Sequence, residues 1–174
     1  HFIPTRFYND VLAVGSFGDI VKRMTGIPAI FDVPTRLKVV DKFKDYSQIL
    51  SYGMPPLEIM TKDPVQAEEY AKIINDGFVD LCNKHSDHFP GWVAQVPLSA
   101  PDAGVREATR ALKNGALGVQ IYTNVAGKPL DHPDFAPFWK AMNKNGKPIW
   151  LHPSRGASFP DYQTETKSKY EIWW

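Results

Sequence analysis

His152 directly follows the apolar run Ile149-Trp150-Leu151 and precedes Pro153, which puts an imidazole at the end of a strand-like segment. A neutral ring nitrogen presented there suits zinc and similar divalent metals. The competing reading is a histidine that only packs and hydrogen-bonds at a strand end. His1, ahead of Phe2-Ile3-Pro4, holds a comparable position if a first strand ends on it. His85, His88 and His132 fall at a helix end or in loops, where a histidine is ordinarily solvated. Arg36 offers a planar guanidinium suited to bidentate carboxylate recognition, against the commoner fate of an arginine on a helix surface. Cys82 is the single cysteine, so the chain has neither a disulfide framework nor a thiolate metal site. Its helical setting makes it a buried structural thiol, and a reduced cytoplasmic compartment fits it.

Such side chains can meet only if short strands end on a common face. The first clear strand is 46–52 (YSQILSY), closed by Gly53. A helix at 34–43 precedes it: Asp32 can cap its start, Pro34 fits the first turn, and Leu37, Val40 and Phe43 recur at helical spacing. Asp63-Pro64 opens the longest helix, which runs to about Lys84 with Tyr70, Ile73, Ile74, Phe78, Leu81 and Cys82 along its apolar stripe. The strand 92–97 (WVAQVP) follows. Pro101-Asp102 then opens a helix carrying Val105, Ala108 and Leu112, and Asn114-Gly115 ends it. Another strand spans 117–122 (LGVQIY). Pro133-Asp134 opens a fourth helix with Phe135, Phe138, Ala141 and Met142 facing inward, and Asn145-Gly146 stops it. The last strand, 148–152 (PIWLH), ends on His152.

This alternation predicts parallel strands joined by crossover helices. An open, doubly wound sheet would carry a glycine-rich nucleotide loop after its first strand. The nearest candidate, Val14-Gly15-Ser16-Phe17-Gly18-Asp19, lacks the third glycine and a preceding apolar strand, so it reads as a loop or helix start. The expected fold is therefore α/β, a (β/α)8 TIM-like barrel. Residues 1–174 make one partial domain holding about the first five β/α units, with strand 1 ending at His1 and strand 5 at His152. A whole barrel takes about 250 residues. The start without Met and the apolar end at Ile172-Trp173-Trp174 likewise make the chain read as a fragment at both ends. Barrel chemistry sits at the C-terminal strand ends, where His1 and His152 fall.

Composition narrows the function classes. A net charge of +1 gives no cationic surplus for phosphate, which argues against nucleic acid as a partner. The longest apolar runs, 27–31 and 148–151, are far too short for a bilayer span, and no secretory signal pattern opens the sequence.

In order along the chain, several short segments resemble the amidohydrolase-related (amidohydrolase 2) family, typified by aminocarboxymuconate-semialdehyde decarboxylase. His1-Phe2-Ile3-Pro4 is similar to the second histidine and continuation of that family's strand-1 His-x-His motif. Phe31-Asp32-Val33-Pro34-Thr35-Arg36, followed by Asp41, resembles the segment in which an arginine and an aspartate flank a helix start. Gln48-Ile49-Leu50-Ser51 resembles its second strand, Asn75 with Phe78 its long helix, and Gly118-Val119-Gln120-Ile121 with Leu130-Asp131 and Phe135 its fourth-strand region. Leu151-His152-Pro153 matches its fifth-strand metal histidine.

The resemblance implies that His1 and His152 are metal ligands, with zinc the first expectation and manganese the second, and that Arg36 binds a substrate carboxylate. It also implies a proton-transferring histidine and a metal-binding aspartate beyond Trp174, no organic cofactor, and a homodimer. The segment 154–159, where the family varies, carries no transferable substrate contact, and Trp173 and Trp174 could line a site, a core or an interface. The implied activity is metal-dependent, non-oxidative decarboxylation of a small unsaturated or aromatic carboxylic acid. Two alternatives stay open on the same barrel: metal-dependent hydrolysis of a lactone, amide or carbon–carbon bond, and a non-catalytic barrel.

Overall fold

The computed structural model describes residues 1–17, 19–154, 160 and 162–167, so the segment 155–159 and the pair Trp173-Trp174 lie outside the described residues. A three-residue turn of helix, α1 (Thr5–Phe7), runs into a π-helical turn, Tyr8–Leu12, and α2 (Asp19–Thr25) follows. The glycine-containing stretch before α2 is thus loop and helix start, with Gly18 outside the described residues. After a 3-10 turn at Pro28–Ile30 comes α3 (Val33–Val40), whose first turn is capped as the sequence predicts: the Asp32 carboxylate accepts from Thr35 N–H at 2.8 Å. This helix stops at Val40. Phe43, which shares its spacing, is 59% exposed and has no core to face.

The next elements are β1 (Ile49–Leu50), the short helix α4 (Leu57–Met60) and α5 (Pro64–Lys84), the last capped by Asp63, which accepts from Val65 N–H at 3.0 Å. They are followed by β2 (Gly91–Trp92), β3 (Ala94–Gln95), α6 (Pro101–Lys113) and β4 (Val119–Tyr122). A 3-10 turn at Pro133–Phe135, α7 (Ala136–Asn145) and β5 (Ile149–His152) complete the order. Gly146 ends α7 in the left-handed region, φ 61°, a conformation that glycine adopts without a Cβ penalty.

Every strand pair is parallel: β1 with β2, and β3 with β4 with β5. Only Val93 separates β2 from β3. The predicted strand 92–97 is one central strand whose beginning pairs with β1 and whose continuation pairs with β4. Val93 N donates to Leu50 O at 2.8 Å and Ala94 N donates to Gly118 O at 2.9 Å, one bond to each side. On the far side of β1, Phe2 N donates to Ser51 O at 2.9 Å, so residues 1–3 lie in the place expected for strand 1. Spatial order therefore follows sequence order, with helices between strands, which is the arrangement of an α/β barrel.

α5 and α7 bury the faces predicted for them, whereas α6 turns Ala103, Ala108 and Ala111 inward and leaves Val105 and Leu112 half-buried. Ile74 and Phe78 of α5, Ala108 and Ala111 of α6, and Phe138 and Met142 of α7 pack with Trp92, Val119 and Ile121 of the strands in one core. A polar cluster is set into this helix–strand layer. Asn75 Nδ2 donates to Gln95 O at 2.8 Å and to Glu107 Oε1 at 2.7 Å, and Asn75 Oδ1 accepts from Gln95 N at 2.9 Å. Arg110 binds both Glu107 oxygens at 2.8 Å, so the fully buried carboxylate has a bidentate counter-charge. Among the described residues no helix is long and apolar enough to cross a membrane.

Candidate metal centre

The fold joins the two histidines that the sequence singles out. His1 comes from the segment beside β1 and His152 is the last residue of β5, yet their ring centroids are 4.9 Å apart, with the planes at 52°. Sequence separation this large is closed by the sheet: the chain passes through β1, β2/β3, β4 and β5, and each strand ends on the same face.

Hydrogen bonds at the two rings decide which nitrogens are open. His152 Nδ1 lies 2.7 Å from Pro153 O, and a carbonyl can only accept, so Nδ1 carries the proton and the lone pair is on Nε2. His1 Nδ1 lies 2.8 Å from Ser51 Oγ. The Cβ–Cγ–Cδ2 flank of the His1 ring rests against Gly53, where an added Cβ would come within 2.8 Å of Cγ. The remaining edge of that ring carries Nε2. Two imidazoles with Nε2 unengaged among the described residues form a donor set that fits a divalent metal such as zinc or manganese. Among the described residues no group of three or more His, Cys, Asp or Glu side chains converges as a metal cluster.

The ends of β1 and β4 brace the pair. Tyr122, the last residue of β4, sits in register with His152, packs its ring on that imidazole at 5.4 Å and donates from its hydroxyl to Gly53 O at 2.7 Å. Gln120 donates from its side-chain amide to Tyr52 O. The carbonyls of Tyr52 and Gly53 are thereby held by two side chains of β4, reaching across from beyond the central strand. Sequence reasoning passed over Tyr122 and Ser51. The signal for Tyr122 was there, since it ends its strand just as His152 ends the next. Nothing in the sequence marks Ser51 beyond its place near a strand end.

Glu58 on α4 is the other group that sequence reasoning missed. It is 4% exposed, one carboxylate oxygen has no hydrogen-bond partner, and burial raises its pKa to about 7 despite the opposing charge of Lys62. Its field helps push the hydroxyl pKa values of Tyr52 and Tyr122 upward, after burial itself in both cases. A lone Glu in a one-turn helix gives no sequence pattern that would single it out.

Arg36 lies on α3 and is half-buried. Nε donates to Gln48 Oε1 at 2.7 Å, Nη1 donates to Ala29 O at 3.3 Å, and the guanidinium stands 6.0 Å from the Phe2 ring centroid. The other histidines have local partners: His88 Nε2 is 2.7 Å from Asp41 Oδ1, and His132 Nδ1 accepts from Asp134 N at 3.3 Å. Cys82 is half-buried against the core, and burial pushes its thiol pKa up to about 11, which keeps it protonated.

Residues 35–171, most of the chain, match the family model described as Amidohydrolase. The chain belongs to the amidohydrolase family. It is 34% identical over 126 residues to gamma-resorcylate decarboxylase of a Rhizobium species (strain MTP-10005), a match covering 68% of this chain and 38% of the relative. Among solved structures it is similar to 2,6-dihydroxybenzoate decarboxylase complexed with 2,6-dihydroxybenzoate, with a TM-score of 0.70, 30% identity, and coverage of 90% of this chain and 49% of that one. It is also similar to 5-carboxyvanillate decarboxylase from Novosphingobium aromaticivorans DSM 12444, complexed with manganese and 4-hydroxy-3-methoxy-5-nitrobenzoic acid. That match has a TM-score of 0.67 and 26% identity, covering 73% of this chain and 36% of that one. The chain thus spans less than half the length of each of these amidohydrolase-family relatives. The fold is the α/β barrel expected from the strand–helix alternation.

Proposed function

We propose that the protein is a metal-dependent, non-oxidative decarboxylase of a small aromatic or unsaturated carboxylic acid. The observation that carries this reading is the meeting of His1 and His152 at the strand ends, each with Nε2 open, in a member of the amidohydrolase family. Its relatives are enzymes that decarboxylate hydroxylated benzoates, one of them crystallised with manganese.

His1 and His152 would hold the metal, and a divalent ion there supplies a Lewis acid toward substrate oxygens. Zinc and manganese both accept imidazole nitrogen. Arg36 anchors a carboxylate with the guanidinium N–H groups that Gln48 and Ala29 leave unused. Tyr122 and Gly53 keep the imidazoles in place. The carbon–carbon bond to the leaving carboxylate breaks, its electron pair stays on the ring carbon, and a proton delivered there completes the product as carbon dioxide departs. The proton donor and the further metal ligand that the family resemblance implies are assigned to the rest of the protein. No organic cofactor enters this scheme. A cytoplasmic homodimer completes the reading, the dimer supported by the family resemblance and the compartment by a single cysteine that offers no disulfide framework.

The test is incubation of the manganese- or zinc-loaded protein with 2,6-dihydroxybenzoate and related hydroxybenzoates. One carbon dioxide and one phenol per acid consumed is the expected result. Cleavage of lactones or amides with no carbon dioxide from any acid would replace decarboxylation with hydrolysis.

A further inference from the structure

We infer that Ser51 is a positioning residue for the site: its hydroxyl accepts from His1 Nδ1–H and so holds the His1 imidazole in the tautomer that leaves the Nε2 lone pair free for a metal. This rests on the metal reading above and adds to it the group that sets the ligand's protonation and orientation.

The His1 ring presents three edges. Nδ1 is engaged by Ser51 Oγ at 2.8 Å. The Cβ–Cγ–Cδ2 flank lies on Gly53, with no room even for a methyl group. Only the edge bearing Nε2 is left for a ligand, and a metal-bound Nε2 requires the ring proton on Nδ1. A serine hydroxyl can donate or accept, and here the ring fixes it as acceptor. The pairing mirrors that at His152, where Nδ1–H donates to Pro153 O. One ligand is oriented by a backbone carbonyl and the other by a side chain, so only the second can be removed by substitution.

Ser51 is suited to the task because its surroundings hold it in place. It is 9% exposed, its backbone carbonyl accepts from Phe2 N at 2.9 Å, and the following residue is held through the Tyr52 carbonyl by Gln120. A hydroxyl just past the end of β1, with its backbone held by these bonds, gives the ring a fixed partner.

The experiment uses the full protein, metal-free and with 15N-labelled histidine, in wild-type, Ser51→Ala, Ser51→Thr and His152→Ala forms. Imidazole nitrogen shifts report the tautomer, and competition with a chelator reports affinity for manganese and zinc. The expected wild-type state has His1 protonated at Nδ1. Ser51→Ala should lose that preference and weaken metal binding roughly 10- to 100-fold. Ser51→Thr, which keeps the hydroxyl, should retain both. An unchanged His1 tautomer and unchanged metal affinity in Ser51→Ala would overturn the role of Ser51 while leaving the metal site standing. Equal metal binding by wild type and His152→Ala, or none by either, would overturn the metal reading and this inference with it.

Discussion

Gly53 and His1 are packed so closely that a Cβ placed on Gly53 would stand 2.8 Å from Cγ of the imidazole and 3.0 Å from its Cβ. The glycine is there to let a ring pass, because both contacts fall well inside the ordinary carbon–carbon separation. Gly53→Ala must therefore displace His1 from Ser51 or from His152. The expected outcome is a loss of metal affinity of at least about tenfold, with the melting temperature nearly unchanged, since His1 is an exposed residue whose movement opens no core cavity. Chelator competition and thermal unfolding on the same preparation check both halves. Wild-type affinity in Gly53→Ala would show that the ring is not held by this contact.

Arg36 tests the substrate end of the proposal. Replacing a charged hydrogen-bond partner of a carboxylate costs about 1.5–3 kcal/mol, so Arg36→Ala should raise KM for the acid roughly 10- to 100-fold. The bond to Gln48 gives a control, because Gln48→Ala removes the partner of Nε and leaves the guanidinium. A fall in stability with KM unchanged would return Arg36 to the role of a helix-packing residue held by Gln48 and the Ala29 carbonyl.

The strand ends were legible in the sequence to different degrees. A Pro beside an Asp at each start, and Asn-Gly at the ends of α6 and α7, are local chemistry, so the helices α5, α6 and α7 could be read closely, apart from the 3-10 turn at Pro133–Phe135 that precedes α7. Of the three only α5 has a side-chain cap, Asp63, which accepts from Val65 N–H. His152 could be read because a strand of apolar residues ends on it. Its meeting with His1 is a consequence of parallel strands in sequence order, which alternation also predicts. Other features depend on three-dimensional neighbours that no local pattern encodes. Phe43 has helical spacing but no core beside it. The residues 46–48 carry strand-like composition, yet only Ile49 and Leu50 enter the ladder, because Tyr46 is half exposed and faces no partner strand. Ser51, Tyr122 and Glu58 acquire their roles from residues scores of positions away.

Asn75 links α5 to β3 and α6 through three hydrogen bonds, all buried. Asn75→Ala leaves the Gln95 amide N–H without its acceptor and takes a donor from Glu107, in a dry layer where neither can find water. At about 1–3 kcal/mol for each unsatisfied group, a loss of about 3 kcal/mol is expected, and urea unfolding measures it. Metal affinity should change little, because this cluster lies in the helix–strand layer, away from His1 and His152. A loss under about 0.5 kcal/mol would mean that the layer rearranges to satisfy these groups in another way.

Glu58 predicts a pH dependence of stability with a definite sign. Its carboxyl is buried, one oxygen is unpaired, and its pKa is raised from 4.5 to about 7, chiefly by burial. The groups facing it are the Lys62 ammonium, which opposes the shift, and the un-ionised hydroxyls of Tyr52 and Tyr122. A carboxyl whose pKa is higher in the folded state than in the unfolded state favours folding when protonated. That favourable balance is complete below about pH 4.5, is lost as pH rises through the interval to about 7, and stays lost above it. The shift corresponds to about 3 kcal/mol. Glu58→Gln keeps the shape and cannot ionise, so its unfolding free energy should lack this decline. The difference between variant and wild type should grow in the variant's favour from pH 5 to pH 8, whatever its absolute value. Parallel pH profiles for the two proteins would mean that Glu58 takes up its charge without penalty, through water or a cation reaching the unpaired oxygen.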